Sequence, residues 1–196
     1  MKLKSIYLFS LLLLIFQGCN QPNYKKEAIE LNNKGTQYFQ QNLKDSALIY
    51  FSLATDKNPQ YAIAHQNKAN ALISLKQYDK ALLAIDDLIK IHPYAEAFTI
   101  KGMLLDKTNK PVEAKQAYSE GIKKFEERLT RASDANKSMI MLEIGQLHFL
   151  NGDSRQAKTI LEEHKTKAQD LGTADSILNN LHQKDKYIDW VLQKVG

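Results

Sequence analysis

The chain has 196 residues, with 27 basic and 22 acidic side chains, a formal net charge of +5, eight glycines, four prolines and one cysteine. A charge this mild, with lysines spread along the chain and not clustered with aromatics, excludes an electrostatic nucleic-acid binder. One cysteine excludes an internal disulfide, and scarce glycine and proline leave room for uninterrupted helices.

Residues 1–18 stand apart. Lys2 and Lys4 precede an apolar run from Ile6 to Phe16, broken only by Ser10. That run is shorter than the roughly 20 residues a membrane-spanning helix needs and suits the core of an export signal. It ends at Gln17, Gly18 and Cys19. A small residue before a lone cysteine, directly behind an export signal, resembles the lipobox of bacterial lipoproteins. Phe16 and Gln17 depart from the Leu and the Ala or Ser those boxes more often carry. The resemblance implies cleavage before Cys19, diacylglycerol on its sulfur and usually a third acyl chain on the new amino terminus. The other reading is an ordinary secretory signal with a spare thiol, which would be a liability in an exported chain. Acyl chains contribute ~0.8 kcal/mol per buried CH₂, enough together to anchor the protein to a membrane without a transmembrane helix.

Residues 19–26 are polar and read as a tether. Asn20 stands where an Asp would mark inner-membrane retention in enterobacterial lipoproteins, so the expected location is the bacterial cell envelope, at the outer membrane facing the periplasm. Without residues 1–18 the chain loses Lys2 and Lys4, leaving 25 basic against 22 acidic residues, and its 178 residues suit one domain.

A repeat organises residues 27–172. A Gly or Ala is followed three residues on by an aromatic, Leu or His, twelve on by Ala and sixteen on by a large apolar residue, in four sets. They are Gly35/Tyr38/Ala47/Phe51, Ala69/Leu72/Ala81/Ile85, Gly102/Leu105/Ala114/Tyr118 and Gly145/His148/Ala157/Leu161. Their starts advance by 34, 33 and 43 residues while the internal offsets stay fixed, which marks a repeated two-helix unit. In the first unit Ile29, Leu31, Gly35, Tyr38 and Phe39 have helical spacing, residues 41–45 break it, and Ala47, Leu48, Phe51 and Ala54 resume it before Pro59. The second unit turns at Lys76 and Gln77 and ends at Pro93. The small first-helix residues are expected to face Ala47, Ala81, Ala114 and Ala157 so that the paired helices approach closely. Phe51, Ile85, Tyr118 and Leu161 are expected to fill the seam to the neighbouring unit.

The third and fourth units lack the closing proline, and the long step between them holds nine or ten extra residues. They predict an over-long second helix in unit three and a turn near residues 133–136. Its basic side chains Lys123, Lys124, Arg128 and Arg131 make either a solvated extension or a contact with a partner or lipid headgroups. Beyond Gly172, expected as a helix C-cap, Ile177, Leu178 and Leu181 form one apolar stripe and Ile188, Val191, Leu192 and Val195 another. A repeat stack leaves its last face uncovered, so residues 173–196 are expected to cap it, with Trp190, slightly off the second stripe, either packed in the cap or serving as a binding anchor.

Leu31, Gly35, Tyr38, Ala47, Phe51, Ala54 and Pro59 resemble the tetratricopeptide repeat, and Ala69, Leu72, Ala81, Ile85, Leu88 and Pro93 repeat the match. The third unit keeps Gly102, Leu105, Ala114, Tyr118 and Gly121; the fourth keeps Gly145, Ala157 and Leu161. The resemblance implies an all-α, right-handed superhelix of about four helix-turn-helix units, near 28–61, 62–94, 95–137 and 138–172, with a C-terminal capping helix. It also implies a concave side formed by the first helices. Carried over residue by residue, that groove is lined by Asn32, Thr36, Phe39, Gln66, Asn70, Ile73, Thr99, Met103, Asp106, Leu142, Gln146 and Phe149. The apolar members could equally pack against the next unit. Some tetratricopeptide proteins grip a partner's terminal carboxylate with a basic clamp; here Glu96 and Ile100 stand at its third-helix places, so that clamp is absent.

Chemistry has no foothold in the sequence. The five histidines never pair at metal-ligand spacing, there is no second cysteine for zinc, and the scattered glycines form no phosphate loop. His148 stands at a packing position. The expected protein is a non-enzymatic interaction scaffold of the envelope, without cofactor or small-molecule substrate, that binds an envelope protein or peptide segment. A narrower version is an assembly factor resembling the lipidated tetratricopeptide pilotins or outer-membrane assembly lipoproteins.

Overall fold

The computed structural model describes residues 25–165, 171–179 and 181–195; the expected export signal, Cys19 and most of the expected tether lie outside them. Among the described residues ten helices follow one another: α1 (Lys26–Gln40), α2 (Lys44–Lys57), α3 (Ala62–Ser74), α4 (Tyr78–Ile91), α5 (Ala95–Lys107), α6 (Pro111–Leu129), α7 (Asp134–Asn151), α8 (Ser154–His164), α9 (Leu171–Asn179) and α10 (Lys184–Val195). Through α8 each helix packs chiefly on its neighbours in sequence, first within a pair and then pair to pair. The result is a tetratricopeptide-like superhelix of helical hairpins.

One turn is built four times over. Seven residues after each small residue the backbone enters the left-handed region, at Asn42 (φ 60°), Lys76 (57°), Asn109 (60°) and Gly152 (92°). The next amide then bonds back to the carbonyl of Tyr38, Leu72, Leu105 or His148, at 2.8 to 2.9 Å. That pairing satisfies carbonyls the ending helix would leave bare. Asn and Gly suit left-handed backbone, whereas Lys76 occupies it at a steric cost. The second helices start differently: Pro111 sits in the first turn of α6, and Asp153 accepts a hydrogen bond from the Gln156 amide at 3.0 Å at the start of α8.

The packing role of the small residues differs from the sequence expectation. A Cβ on Gly35 would come within 2.6 Å of the Phe51 ring, one on Gly102 would strike the Tyr118 ring, and one on Gly145 would press on Leu161. Each of these three glycines thus makes room for the large residue of its own unit. The reason is geometric. In an antiparallel pair Gly35 lies level with a point between Ala47 and Phe51, and helical side chains lean towards the N-terminus, which brings the ring of Phe51 back over the glycine.

The extra residues of the third step are shared by two helices: α6 has 19 residues against 14 in α2 and α4, and α7 has 18 against 13 in α3 and α5. The turn accordingly falls at residues 130–133, slightly before its expected place. Arg128 binds Glu96 at 2.7 Å, while Lys123 and Lys124 pair with Glu120 and Glu127 on their own helix, so most of the extension's basic charge is engaged within the chain.

At the C-terminal end the two apolar stripes part company. α9 packs on α7 and α8, with Ala174 and Ile177 buried, and so covers the end of the stack. Gly172 falls inside the first turn of α9 and does not end a helix. α10 turns back and packs on α3.

Candidate partner-binding groove

The first helices of the four pairs are α1, α3, α5 and α7, and the sequence-derived groove residues sit on those helices in three rows. Their exposure is uneven. Asn32, Ile73, Thr99, Met103, Leu142 and Phe149 are buried, whereas Thr36, Phe39, Gln66, Asn70, Asp106 and Gln146 are half-buried. Asn32 is not offered to a partner: its Oδ1 accepts a 2.9 Å hydrogen bond from Asn67 Nδ2 and ties α1 to α3. Thr36 and Thr99 donate their hydroxyls to the carbonyls of Asn32 and Ala95, four residues back on their own helices. Phe39 leans on Phe51 with ring centroids 6.4 Å apart.

The row nearest the turns, Ile73, Asp106 and Phe149, has an occupant. α10 lies across it. The Tyr187 ring meets Phe149 edge to face at 5.4 Å and 81°. Lys184 Nζ is 2.6 Å from Asp106 Oδ2, and Lys107 Nζ is 2.7 Å from Asp189 Oδ1, a contact between residues 82 positions apart in sequence. At the far end α10 packs on α3, and Leu192 and Gln193 border the same pocket as Ile73 and Ser74. Tyr187, Ile188 and Leu192 are buried by the arrangement. Trp190 contacts Tyr187 at 5.7 Å and carries Lys194 3.8 Å above its own ring. It is partly buried and packs against the main hydrophobic core.

The strip under α10 is tied to the outer layer. Tyr118 of α6 passes its ring over Gly102 and donates its hydroxyl to Asp106 Oδ2 at 2.7 Å. Burial, helped by that carboxylate, raises the Tyr118 phenol far above its ordinary range, so it stays a donor. Lys184 also sits 5.1 Å from the centre of the Tyr118 ring. The Asp189 hydrogen bond holds the Lys107 ammonium above its usual value. Tyr118, Asp106 and Lys184 form one connected chain from the second-helix layer through the first-helix layer to α10.

The sequence supplied Asp106 and Phe149 but missed Lys184, Tyr187 and Asp189. A signal was present. A stack has one uncovered end face, and the stripe of Ile177 and Leu178 suffices for it; the second stripe, of Ile188 and Leu192, needed another surface.

Two neutral histidines frame the fold. His65 is buried with Nε2 3.0 Å from the Pro59 carbonyl, and His148 is half-buried at the packing position; desolvation lowers both. Among the described residues no group of three or more His, Cys, Asp or Glu side chains is placed to hold a metal ion, and no helix is long and apolar enough to cross a membrane. Exposed large apolar side chains lie mostly on the second helices, Ile49 and Leu83 at equivalent places two residues after the repeat alanines.

No protein-family model matches the chain, and no curated protein sequence does. Solved structures do. PilF of Pseudomonas aeruginosa aligns over 86% of this chain and 72% of its own, with a TM-score of 0.58 at 16% identity. PilW, a type IV pilus biogenesis factor, aligns over 87% and 86%, with a TM-score of 0.53 at 18% identity. YrrB, a tetratricopeptide protein with an unusual peptide-binding site, aligns over 86% of each chain, with a TM-score of 0.53 at 14% identity. At these identities the likeness is one of fold, and it places the chain among proteins with tetratricopeptide-like helical repeats.

Proposed function

We propose that the protein is a lipid-anchored interaction scaffold of the bacterial envelope that binds a segment of another envelope protein on its inner face. The observation that carries this reading is the first-helix layer itself. Gln66, Asn70 and Gln146 remain partly open there, with amide groups able to pair with a peptide backbone, and Phe39 offers an apolar edge. No described constellation gives the face a reaction to perform. Cys19 carries the anchor in this proposal, and residues 20–25 tether it to α1.

The likeness in fold to PilW favours a second, narrower reading, in which the bound segment belongs to a membrane complex that the protein helps to assemble. The two readings differ in persistence. A docking subunit co-purifies at a fixed ratio, whereas a transient escort does not.

The test is quantitative mass spectrometry of proteins captured with the tagged full-length chain from crosslinked, detergent-solubilised envelopes, with Cys19→Ser as the unanchored control. A dominant envelope protein at a fixed ratio, lost in the control and lost with Gln66→Arg plus Asn70→Arg, supports the proposal. Capture that survives the double arginine variant moves the interface off the inner face. Capture indifferent to Cys19→Ser removes the anchor from the mechanism.

A further inference from the structure

α10 is held on the first helices by three buried apolar side chains, Tyr187, Ile188 and Leu192, and by polar contacts that are individually weak. Lys107–Asp189 and Lys184–Asp106 are both partly open to solvent, and ion pairs of that kind add little to stability. A partly open pocket of about 390 Å³ borders the C-terminal half of α10, lined by Lys44, Ile73, Tyr78 and Leu192 among others. The surface below keeps its form through contacts of its own. Tyr118 of α6 donates to the Asp106 carboxylate and is itself seated against Gly102, contacts made within the repeat in addition to those with Lys184 of α10.

The repeat thus presents a preorganised strip: Ile73 at one end, the opposite charges of Asp106 and Lys107 in the middle, and Phe149 at the other end. The seated helix matches it contact for contact. Leu192 borders the pocket at the Ile73 end, Asp189 and Lys184 pair with Lys107 and Asp106, and Tyr187 meets Phe149.

We propose that α10 is a displaceable occupant and that this strip receives an amphipathic helix of a partner protein. That helix carries, in the register of Lys184, Tyr187, Ile188, Asp189 and Leu192, a cation, an aromatic and aliphatic pair, an acid and a second aliphatic residue. The inference rests on the scaffold reading above and narrows the partner from a peptide segment in general to a helix that competes with α10. Competition sets a threshold. If α10 covers the strip about 90 to 99% of the time, a partner binds about 10- to 100-fold more weakly than to the bare strip, and partners that match the strip poorly are excluded.

The probe is a labelled synthetic peptide of residues 181–196 with Trp190→Phe, followed by fluorescence anisotropy. It is titrated into the full chain in detergent and into the full chain carrying Ile188→Asp and Leu192→Asp, which removes two anchors of α10 and leaves the strip untouched. The loosened chain is expected to keep the circular dichroism of the repeats and to bind the peptide about 10- to 100-fold more tightly than the unaltered chain. Trp190 is the one tryptophan of the sequence, so in the unaltered chain its emission should move to the red as excess peptide displaces α10. Asp106→Lys in the loosened chain should abolish binding, and a peptide with Lys184→Asp should restore it.

No binding by a loosened chain that keeps its fold would overturn the proposal, as would loss of the whole helical signal on loosening, because α10 would then be a fixed part of the core. Dimers of the unaltered chain that exchange α10 would make the occupant a second copy and overturn the partner assignment. Capture of an envelope protein by a chain that fails the peptide test would leave the scaffold reading standing and remove only the displaceable helix.

Discussion

Phe39 and Phe149 hold the same place in the repeat, four residues after Gly35 and Gly145, and have different surroundings. Phe149 is 2% exposed beneath Tyr187, inside the core that runs from α3 to α10. Phe39 is half-buried against the Phe51 ring of its own unit, beside a small separate cluster. The repeat fixes where each side chain points. What lies above it depends on a helix that the repeat does not contain.

Truncating the two rings should separate these environments most sharply. Phe149→Ala is expected to cost ~3–5 kcal/mol, because it opens a cavity in a sealed seam. Phe39→Ala should cost clearly less, and urea midpoints of the two variants measure the difference. Equal losses would mean that unit one is as closed as unit four.

Adding a methyl group tests the layer below. Gly102→Ala drives a Cβ into the Tyr118 ring, displaces the hydroxyl that fixes Asp106 and should cost ~1–3 kcal/mol. It should also loosen α10, seen as a red shift of Trp190 emission. Gly35→Ala meets Phe51 just as closely but should leave Trp190 unmoved, since α10 does not reach that unit's aromatic pair.

The four turns invite a gentler test. Lys76→Gly relieves a left-handed lysine and should stabilise the chain by ~1 kcal/mol, whereas Gly152→Ala strains the equivalent turn by a similar amount. Thermal midpoints that move the same way in both variants would break the equivalence.

The smallest effect is one of pH. His65 and His148 titrate below the unfolded value of about 6.5, so the unfolded chain binds protons first as the solution is acidified. Stability should therefore be full above that value and decline as pH falls from it towards the folded values. His65→Gln and His148→Gln should each flatten the decline between pH 7 and 5 in urea titrations, and an unchanged slope would mean that neither ring is held neutral.

Much of the fold was legible because two-helix packing writes itself at fixed offsets: Gly35 with Phe51 and Gly102 with Tyr118 recur because a ring needs a gap. Even there, pairing the glycines with the alanines neglected the lean of helical side chains. The site was legible only in outline. Asn32 was placed on the inner face by its position, but its bond to Asn67 is a contact between units that position does not encode. The seat of α10 depends on Lys184 and Asp189 finding Asp106 and Lys107 some eighty residues away, and no local pattern records such a pairing.

The central claim is that α10 rests in the groove, and zero-length carbodiimide crosslinking of the purified full-length monomer tests it most directly. The 2.7 Å contact between Lys107 and Asp189 should yield an isopeptide-linked pair of peptides, with Lys184–Asp106 as a second product from the less open carboxylate. Linkage of α10 only to residues of α8 or α9, with neither product formed, would contradict the account and leave the inner face open along its whole length.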